Sequence, residues 1–216
     1  MKKYILFDLD GTLTDPALGI TNSLMHALKK FGMNIESREE LYKFIGPPLV
    51  DMMMQEYGFS KEKAQKGLEY YREYFSVKGL FENEVYEGIP EMLENLQKCG
   101  YKLVLATSKP EKFAKQILDH FRLSQYFHFI GGSDMAETRS TKEAVIEYDL
   151  AALGNPDVSE CIMVGDRKYD VEGSREFGIE CVGVTFGYGS RKELEEANAA
   201  YVVDTVKELG ELLMKM

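Results

Sequence analysis

Short apolar runs alternate with longer amphipathic stretches along most of the chain. Residues 103–106 and 162–164 are apolar on both faces, which is typical of strands in a parallel sheet that helices cover on each side. The pattern predicts six strands, at residues 4–8, 102–107, 127–132, 161–166, 180–184 and 201–203. It predicts five helices among these strands, at residues 90–99, 110–121, 141–152, 169–177 and 205–215.

Residues 16–82 break this alternation. They contain no convincing strand, and their periodicity predicts four helical stretches instead, at residues 17–31, 38–44, 49–57 and 61–77. The predicted fold is therefore α/β: a doubly wound, Rossmann-like parallel sheet core with an inserted helical cap domain. We expect the catalytic core to comprise residues 1–15 and 83–216, and the α-helical cap residues 16–82.

Charge and cysteine content narrow the range of partners. The chain has 26 Lys and Arg against 36 Asp and Glu, a formal charge of -10, and no basic cluster that would neutralise a nucleic-acid backbone. Three cysteines without metal-type spacing, no signal peptide and no apolar run of about 18 residues favour a soluble cytoplasmic protein. We expect a small anionic ligand, no nucleic acid polymer, no membrane contact, and a monomer or homodimer.

Two carboxylates leave the first predicted strand together. Ligands of open parallel sheets bind beyond the carboxyl ends of the strands, and Asp8 and Asp10 lie at such an end, followed by Gly11, which permits an abrupt turn. Two acids this close repel each other unless a divalent cation neutralises one and the other holds a proton. Taken alone, each Asp is equally well explained as a helix cap or turn residue.

Later strand ends add groups that suit a phosphate. Thr107 and Ser108 offer hydroxyls and backbone N–H groups next to a predicted helix start, and Lys142 opens a later helix. Asp166 and Asp170 follow another strand and are oxygen ligands of the kind that Mg²⁺ requires. Each has a simpler explanation: an N-cap for Thr107 or Ser108, a solvated helix end for Lys142, a helix-start residue for Asp170. Their occurrence at successive strand ends favours a phosphate site.

These residues fall in four segments that resemble the motifs of the haloacid dehalogenase-like hydrolases: residues 7–15 (FDLDGTLTD), residues 105–109 (LATSK), Lys142, and residues 164–170 (VGDRKYD). The resemblance extends over the whole chain. The predicted insert resembles the helical cap of the phosphoglycolate phosphatase-like branch. Residues 44–49 and 83–89 resemble members described as 5′-nucleotidase-like.

The resemblance implies a Mg²⁺-dependent phosphomonoester hydrolase that acts on a small phosphorylated metabolite through an aspartyl phosphate. Asp8 would be the nucleophile and a metal ligand. Asp10 would be the acid/base residue, with its backbone carbonyl on the metal. The remaining implied site residues are Asp166 and Asp170 at the metal, and Gly11, Thr107, Ser108 and Lys142 around the phosphate.

Other activities remain open at this stage. A dehalogenase has no use for Asp10 or the metal-binding pair, but a β-phosphoglucomutase-like phosphosugar mutase uses the same carboxylates. A non-catalytic phosphoacceptor switch would keep its acyl phosphate for signalling. For the substrate, the candidates in the cap are Gly46 and Pro47, which also read as a simple turn, and Arg72, which also has glutamates nearby to pair with.

Overall fold

A computed structural model of the protein describes residues 1–136 and 138–216. Among these residues, no helix is both long enough and apolar enough to cross a membrane. The regular elements, in chain order, are β1 (Tyr4–Phe7), β2 (Thr14–Asp15), α1 (Ala17–Lys30), a 3₁₀ helix (Glu39–Phe44), α2 (Leu49–Tyr57), α3 (Lys61–Tyr74), a π-helical turn (Phe75–Gly79), β3 (Glu84–Val85), α4 (Ile89–Lys98), β4 (Lys102–Pro110), α5 (Glu111–His120), a 3₁₀ turn (Ser124–Tyr126), β5 (Phe127–Ser133), α6 (Lys142–Ala152), a 3₁₀ turn (Val158–Glu160), β6 (Cys161–Gly165), α7 (Lys168–Arg175), β7 (Glu180–Val184), α8 (Arg191–Glu196), β8 (Tyr201–Val203) and α9 (Val206–Leu213).

The six predicted strands form one parallel sheet in the order β5-β4-β1-β6-β7-β8. The central strand β1 pairs with β4 on one side and with β6 on the other, and Phe7 is in register with Leu105 and Val164. The strand order therefore reverses at β1, so the carboxyl ends of β1, β4 and β6 lie side by side. The prediction of an α/β, Rossmann-like parallel sheet is confirmed.

Apolar side chains bury both faces of this sheet. On one face, Leu6, Val104 and Met163 pack with residues of the covering helices, including Val145 and Val171, in a fully buried cluster. Side chains alternate along a strand, so Ile5 and Phe7, which are also buried, point to the opposite face. Helices α4 and α5 contact β4, while α6 and α7 contact each other and the neighbouring strands. The sheet is rigid enough to hold polar groups at its edge.

The chain divides into two compact units. The first comprises Met1–Thr14 and Val85–Met216 and contains the six-stranded sheet, and the second comprises Asp15–Glu84. The second unit is helical, with α1, α2 and α3 packed around buried residues such as Leu24 and Met53. The short strands β2 and β3 pair where the chain passes from one unit to the other.

Several details differ from the sequence prediction. Helix α8 is not predicted, because its six residues, RKELEE, carry a single apolar side chain. The segment at residues 38–44 is helical but of the 3₁₀ type, and the predicted helix at 61–77 ends in a π-helical turn. Strand β4 continues past Thr107 to Pro110, with a shift in register, so Ser108 lies within the strand and not after it, and Thr107 is not its last residue.

Asp149 is an unusual residue of the core beneath β5. It lies on α6, is fully buried, and neither carboxyl oxygen accepts a hydrogen bond from the described residues. A Cβ built on Gly131 would lie 1.6 Å from Asp149 Oδ1, so the carboxyl packs directly on the strand backbone. Burial raises the pKa of Asp149 to about 8, although Lys142 and Arg139 act in the opposite direction.

We predict that Asp149→Asn flattens the pH dependence of stability. The pKa of Asp149 is raised on folding, so its protonated form stabilises the folded state at low pH, and this contribution is lost as pH rises from about 4 to about 8. Urea unfolding at a series of pH values should show the free energy of unfolding falling more steeply for the wild type than for the variant. Asp51→Asn, at an exposed position of α2, is the control. Parallel curves for wild type and Asp149→Asn would contradict the assignment.

Candidate active site

Three neighbouring strands deliver polar side chains to the same edge of the sheet. Asp8 directly follows β1, and its N–H donates to Val164 O at 2.9 Å. Asp166 directly follows β6, and Thr107 lies near the end of β4. All three are buried. The order of the strands brings these residues together although they are far apart in the sequence.

Lys142 connects two of the carboxylates. Its Nζ lies 3.0 Å from Asp8 Oδ1 and 2.7 Å from Asp170 Oδ1, and it donates to Ala106 O at 2.9 Å. The first two contacts are ion pairs, and the third is a hydrogen bond to a strand carbonyl. Burial alone would lower the pKa of Lys142, but the charges of Asp170 and Asp8 outweigh burial and raise its pKa, so the side chain is cationic.

Two local features fix Lys142. The Thr141 hydroxyl caps α6 by accepting the N–H of Ala144 at 3.3 Å, so the helix begins at Lys142. A Cβ on Gly173 would lie 2.8 Å from Lys142 Cβ, so the glycine lets α7 approach the lysine stem closely. The lysine is thus at the helix start that the sequence predicted, but it is buried and paired instead of solvated.

Asp8, Asp166 and Asp170 form a buried cluster that could hold a metal ion. One carboxylate oxygen from each lies within 4.8 Å of the others. Burial raises the pKa of Asp166, and the charges of Asp170 and Asp8 raise it further. Burial also raises the pKa of Asp170, although Lys142 opposes this effect. Lys142 pairs with two of the three carboxyl groups, those of Asp8 and Asp170, and the charge of Arg167 opposes the rise in the pKa of Asp166.

This donor set fits a hard divalent cation. Carboxylate oxygens are the ligands that Mg²⁺ prefers, and a bound cation would relieve the repulsion among the three acids. Asp170 also acts as a helix-start residue, the simpler explanation given for it from the sequence, because its Oδ2 accepts the Arg167 N–H at 3.1 Å. The cap and the Lys142 contact use different oxygens of Asp170.

Asp10 has an environment different from that of Asp8. Its Oδ2 forms a buried ion pair with Lys109 Nζ, and its Oδ1 accepts no hydrogen bond from the described residues. Burial raises the pKa of Asp10, and Lys109 acts in the opposite direction. Asp10 therefore has one oxygen held by a cation and another left for a ligand, with a pKa shifted toward holding a proton.

Asp166 receives hydrogen bonds at both of its oxygens. Tyr188 N–H donates to Oδ2 at 2.8 Å, and Thr12 Oγ1 lies 3.4 Å from Oδ1. Tyr188 belongs to the loop after β7, so the end of a further strand contributes to the site.

The other residues predicted to bind phosphate, Thr107, Ser108 and Gly11, differ in their burial and in their hydrogen bonds. Thr107 is buried, and its Oγ1 accepts the Lys109 N–H at 3.3 Å, whereas Ser108 is half-buried. Gly11 has a φ of 83°, as its predicted turn requires, but its N–H already donates to Thr14 O at 2.8 Å. Phosphate binding by Gly11 therefore remains a prediction, and the backbone N–H of Gly11 already has an acceptor within the protein.

The cap candidates lie in the second unit. Gly46 has a φ of 105° and precedes Pro47 and Pro48 in the turn between the 3₁₀ helix and α2, and Pro48 is the N-cap of α2. Arg72 is half-buried near the end of α3, and its carbonyl accepts the Ser76 hydroxyl at 2.7 Å. Substrate contact by Gly46, Pro47 or Arg72 stays a prediction.

Two parts of the site were missed in the sequence. Lys109 lies inside the LATSK segment but was given no role, because nothing in the sequence shows that its side chain turns back to Asp10. The segment Phe186-Gly187-Tyr188-Gly189 follows the predicted strand at 180–184, and two glycines just past a strand end were the available signal.

Comparison with known proteins gives a consistent picture. The family model described as haloacid dehalogenase-like hydrolase matches residues 5–184. A Pseudomonas aeruginosa protein named 5′-nucleotidase is 46% identical, covering 88% of this chain and 86% of its own. The Mycobacterium tuberculosis protein named tyrosine-protein kinase PtkA is 36% identical, covering 98% and 72%, and a phosphoglycolate phosphatase of Pseudomonas savastanoi is 31% identical, covering 97% and 79%.

Among solved structures, a predicted phosphatase from Clostridium acetobutylicum superposes with a TM-score of 0.98 at 47% identity, and the match covers all of both chains. The family model covers well over half of the sequence, and its match confirms the resemblance read from the four motifs. The chain belongs to the haloacid dehalogenase-like hydrolases and is a phosphatase.

Proposed function

We propose that this phosphatase is a Mg²⁺-dependent phosphomonoester hydrolase that forms an aspartyl phosphate on Asp8. The observation that carries the proposal is the meeting of Asp8, Asp166 and Asp170 oxygens within 4.8 Å, with Lys142 Nζ between two of them. A buried carboxylate next to an ammonium group and a cation site suits attack on a phosphate, because the positive charges offset the repulsion between two anions.

Asp8, Asp166 and Asp170 would hold the metal, together with the backbone carbonyl of Asp10. When bound, Mg²⁺ supplies positive charge that screens the phosphoryl oxygens and orients them for displacement. Lys142, whose Nζ lies 3.0 Å from Asp8 Oδ1, would also place positive charge near the phosphoryl oxygens. Thr107, Ser108 and Gly11 would complete the phosphate pocket. The proposed roles rest on the position of each residue around the carboxylate cluster.

In the first step, a carboxylate oxygen of Asp8 attacks phosphorus, and the bond from phosphorus to the leaving oxygen breaks. Protonated Asp10 gives its proton to that leaving oxygen, so the product leaves as a neutral alcohol. Burial, which raises the pKa of Asp10, favours the protonated form that this step needs. Asp10 Oδ1, which accepts no hydrogen bond within the described part of the chain, carries the proton in this scheme.

In the second step, Asp10 is ionised and accepts a proton from water as the water oxygen attacks phosphorus. The bond from phosphorus to Asp8 breaks, which returns the Asp8 carboxylate and releases inorganic phosphate. The Lys109 ammonium, paired with Asp10 Oδ2, stabilises the ionised form that this step requires. Asp10 thus needs both a buried setting and a cation beside it.

We propose a nucleoside 5′-monophosphate as the first substrate to test, and phosphoglycolate as the second. The relative named 5′-nucleotidase is 46% identical, against 31% for the phosphoglycolate phosphatase. In this proposal the unit Asp15–Glu84 is the cap, and Gly46, Pro47 and Arg72 contribute to substrate choice. We also propose that the protein is cytoplasmic, is a monomer or homodimer, and acts on a small molecule.

Two rivals use the same first step. A mutase returns the phosphoryl group to a sugar, and a phosphoacceptor or kinase-like protein keeps it or passes it to a protein side chain, as the name of the PtkA relative suggests for that protein. The lifetime of the phosphoenzyme in water separates these outcomes. Hydrolysis within seconds supports the phosphatase, and persistence for hours supports a switch.

Asp8→Asn is predicted to abolish phosphate release while leaving the fold intact. The amide has nearly the shape of the carboxylate but cannot act as the nucleophile, and Lys142 keeps Asp170 as a partner. Phosphate release from a nucleoside 5′-monophosphate and thermal unfolding should be measured together. Asp119→Asn, at an exposed position, is the matched control. Turnover at the wild-type rate by Asp8→Asn would exclude Asp8 as the nucleophile.

Asp10→Asn is predicted to slow turnover by about 10²–10⁴-fold, the usual contribution of acid–base catalysis. With a nitrophenyl phosphate, whose leaving group needs little protonation, the first step should survive, so a hydroxylamine-labile phosphoenzyme should accumulate. Rapid quench with labelled substrate measures this species. If the variant turned over slowly with no phosphoenzyme above the wild-type level, Asp10 would not be the residue that activates water.

Chelation is predicted to silence the enzyme reversibly. EDTA treatment should remove phosphate release from a panel of nucleotides, phosphoglycolate and sugar phosphates, and added Mg²⁺ should restore it, because the proposed metal supplies positive charge that offsets the repulsion between Asp8 and the phosphate. Comparison of kcat/KM across the panel identifies the preferred substrate class. Full activity in the presence of EDTA would contradict the metal dependence.

A further inference from the structure

The loop after β7 lies directly against Asp166, and the two steps above give it no role. This segment, residues 186–189, is called the FGYG loop below. Its Tyr188 N–H donates to Asp166 Oδ2 at 2.8 Å. The donor is a backbone group, so the contact depends on where the loop runs and not on the tyrosine side chain.

Glycines bring the loop this close. A Cβ on Gly187 would lie 2.2 Å from Gly11 O and 2.5 Å from Asp166 Oδ2, and a Cβ on Gly189 would lie 1.8 Å from Asp166 O. Real Cβ atoms do not approach other atoms this closely. Neither residue has a positive φ, so glycine is required here for space and not for backbone conformation.

The turn after β1 approaches the same carboxyl group equally closely. A Cβ on Gly11 would lie 2.2 Å from Asp166 Oδ2, and Thr12 Oγ1 lies 3.4 Å from Oδ1. Asp166 is therefore contacted closely by both the turn after β1 and the FGYG loop after β7. These close neighbours restrict rotation of the Asp166 side chain, so its carboxyl group keeps one orientation.

Contacts on the far side of the loop hold it in place. The rings of Phe186 and Tyr86 meet edge to face, with centroids 5.3 Å apart. Thr185 Oγ1 donates to Asp204 Oδ1 at 2.6 Å, and Thr185 N–H donates to Val203 O at 3.0 Å, which ties the loop start to the end of β8. The loop is thus anchored to elements other than the one it supports.

We propose that the FGYG loop is a positioning element that sets the orientation of Asp166 and, through it, the affinity of the metal site. The proposal rests on the function proposed above, because it assumes that Asp166 binds Mg²⁺. Groups that orient a metal ligand without touching the metal typically contribute about 10–100-fold to metal affinity. The affinity should therefore respond to changes in Gly187, which itself binds neither metal nor substrate in this scheme.

Gly187→Ala tests the proposal by metal binding. Isothermal titration of EDTA-treated protein with Mg²⁺ should show affinity weaker than wild type by about 10–100-fold, because the added methyl would overlap Asp166 and Gly11 O and must displace them or the loop. The Mg²⁺ concentration for half-maximal activity should rise by a similar factor, with a smaller change in kcat at saturating Mg²⁺. Gly210→Ala on α9 is the control, since its Cβ would meet only the flexible Met92 side chain, at 3.3 Å.

The outcomes separate this proposal from the previous one. Absence of Mg²⁺ binding by the wild type would overturn the metal site itself. Binding by the wild type with an affinity within about twofold for a folded Gly187→Ala would overturn the role of the loop alone. If Gly187→Ala does not fold, Phe186→Ala replaces it. That variant loosens the contact with Tyr86 without adding atoms near Asp166, and it should also weaken Mg²⁺ binding, whereas unchanged affinity would overturn the proposal.

Discussion

The site depends on one lysine held between carboxylates at the carboxyl edge of the sheet. Lys142 Nζ is within ion-pair distance of Asp8 and Asp170 and also donates to a strand carbonyl, so its position fixes α6 against β4 and β1 at once. Leaving one partner of such a buried pair uncompensated costs several kcal/mol. The packing that buries α6 therefore also fixes the distance between the proposed nucleophile and its cation.

The topology explains why these groups meet. In a parallel sheet whose order reverses at β1, the strands on either side of β1 come from distant parts of the chain, and each ends at the same edge. The apolar strands provide the rigidity, and the residue just after each strand is the first one free to carry chemistry. Asp8 and Asp166 occupy this position after β1 and β6. The FGYG loop follows β7 in the same way and supplies a backbone N–H, that of Tyr188, to Asp166.

Most of the fold could be predicted because it follows from apolar runs that report burial directly. All six strands of the sheet were identified, while α8, whose sequence is almost entirely charged, gave no periodic signal. The carboxylates and Lys142 could be identified from their order at strand ends. The ion pair of Lys109 with Asp10 could not, because its two residues are 99 positions apart and no local pattern shows that their side chains meet. The close approach of Gly187 and Gly189 to Asp166 likewise could not be predicted, because it depends on the path of the loop in the folded protein.

Asp8 and Asp10 show how two identical side chains, two residues apart, come to differ. Asp8 faces an ammonium that it shares with Asp170, and it belongs to the carboxyl cluster suited to a metal. Asp10 contacts a separate lysine through one oxygen, and its other oxygen is buried and accepts no hydrogen bond from residues 1–136 or 138–216. A nucleophile must stay ionised, whereas an acid/base residue must gain and lose a proton in one cycle. Burial raises the pKa of Asp10 and Lys109 opposes that rise, so the proposed acid/base residue has one influence that favours holding a proton and another that favours losing it.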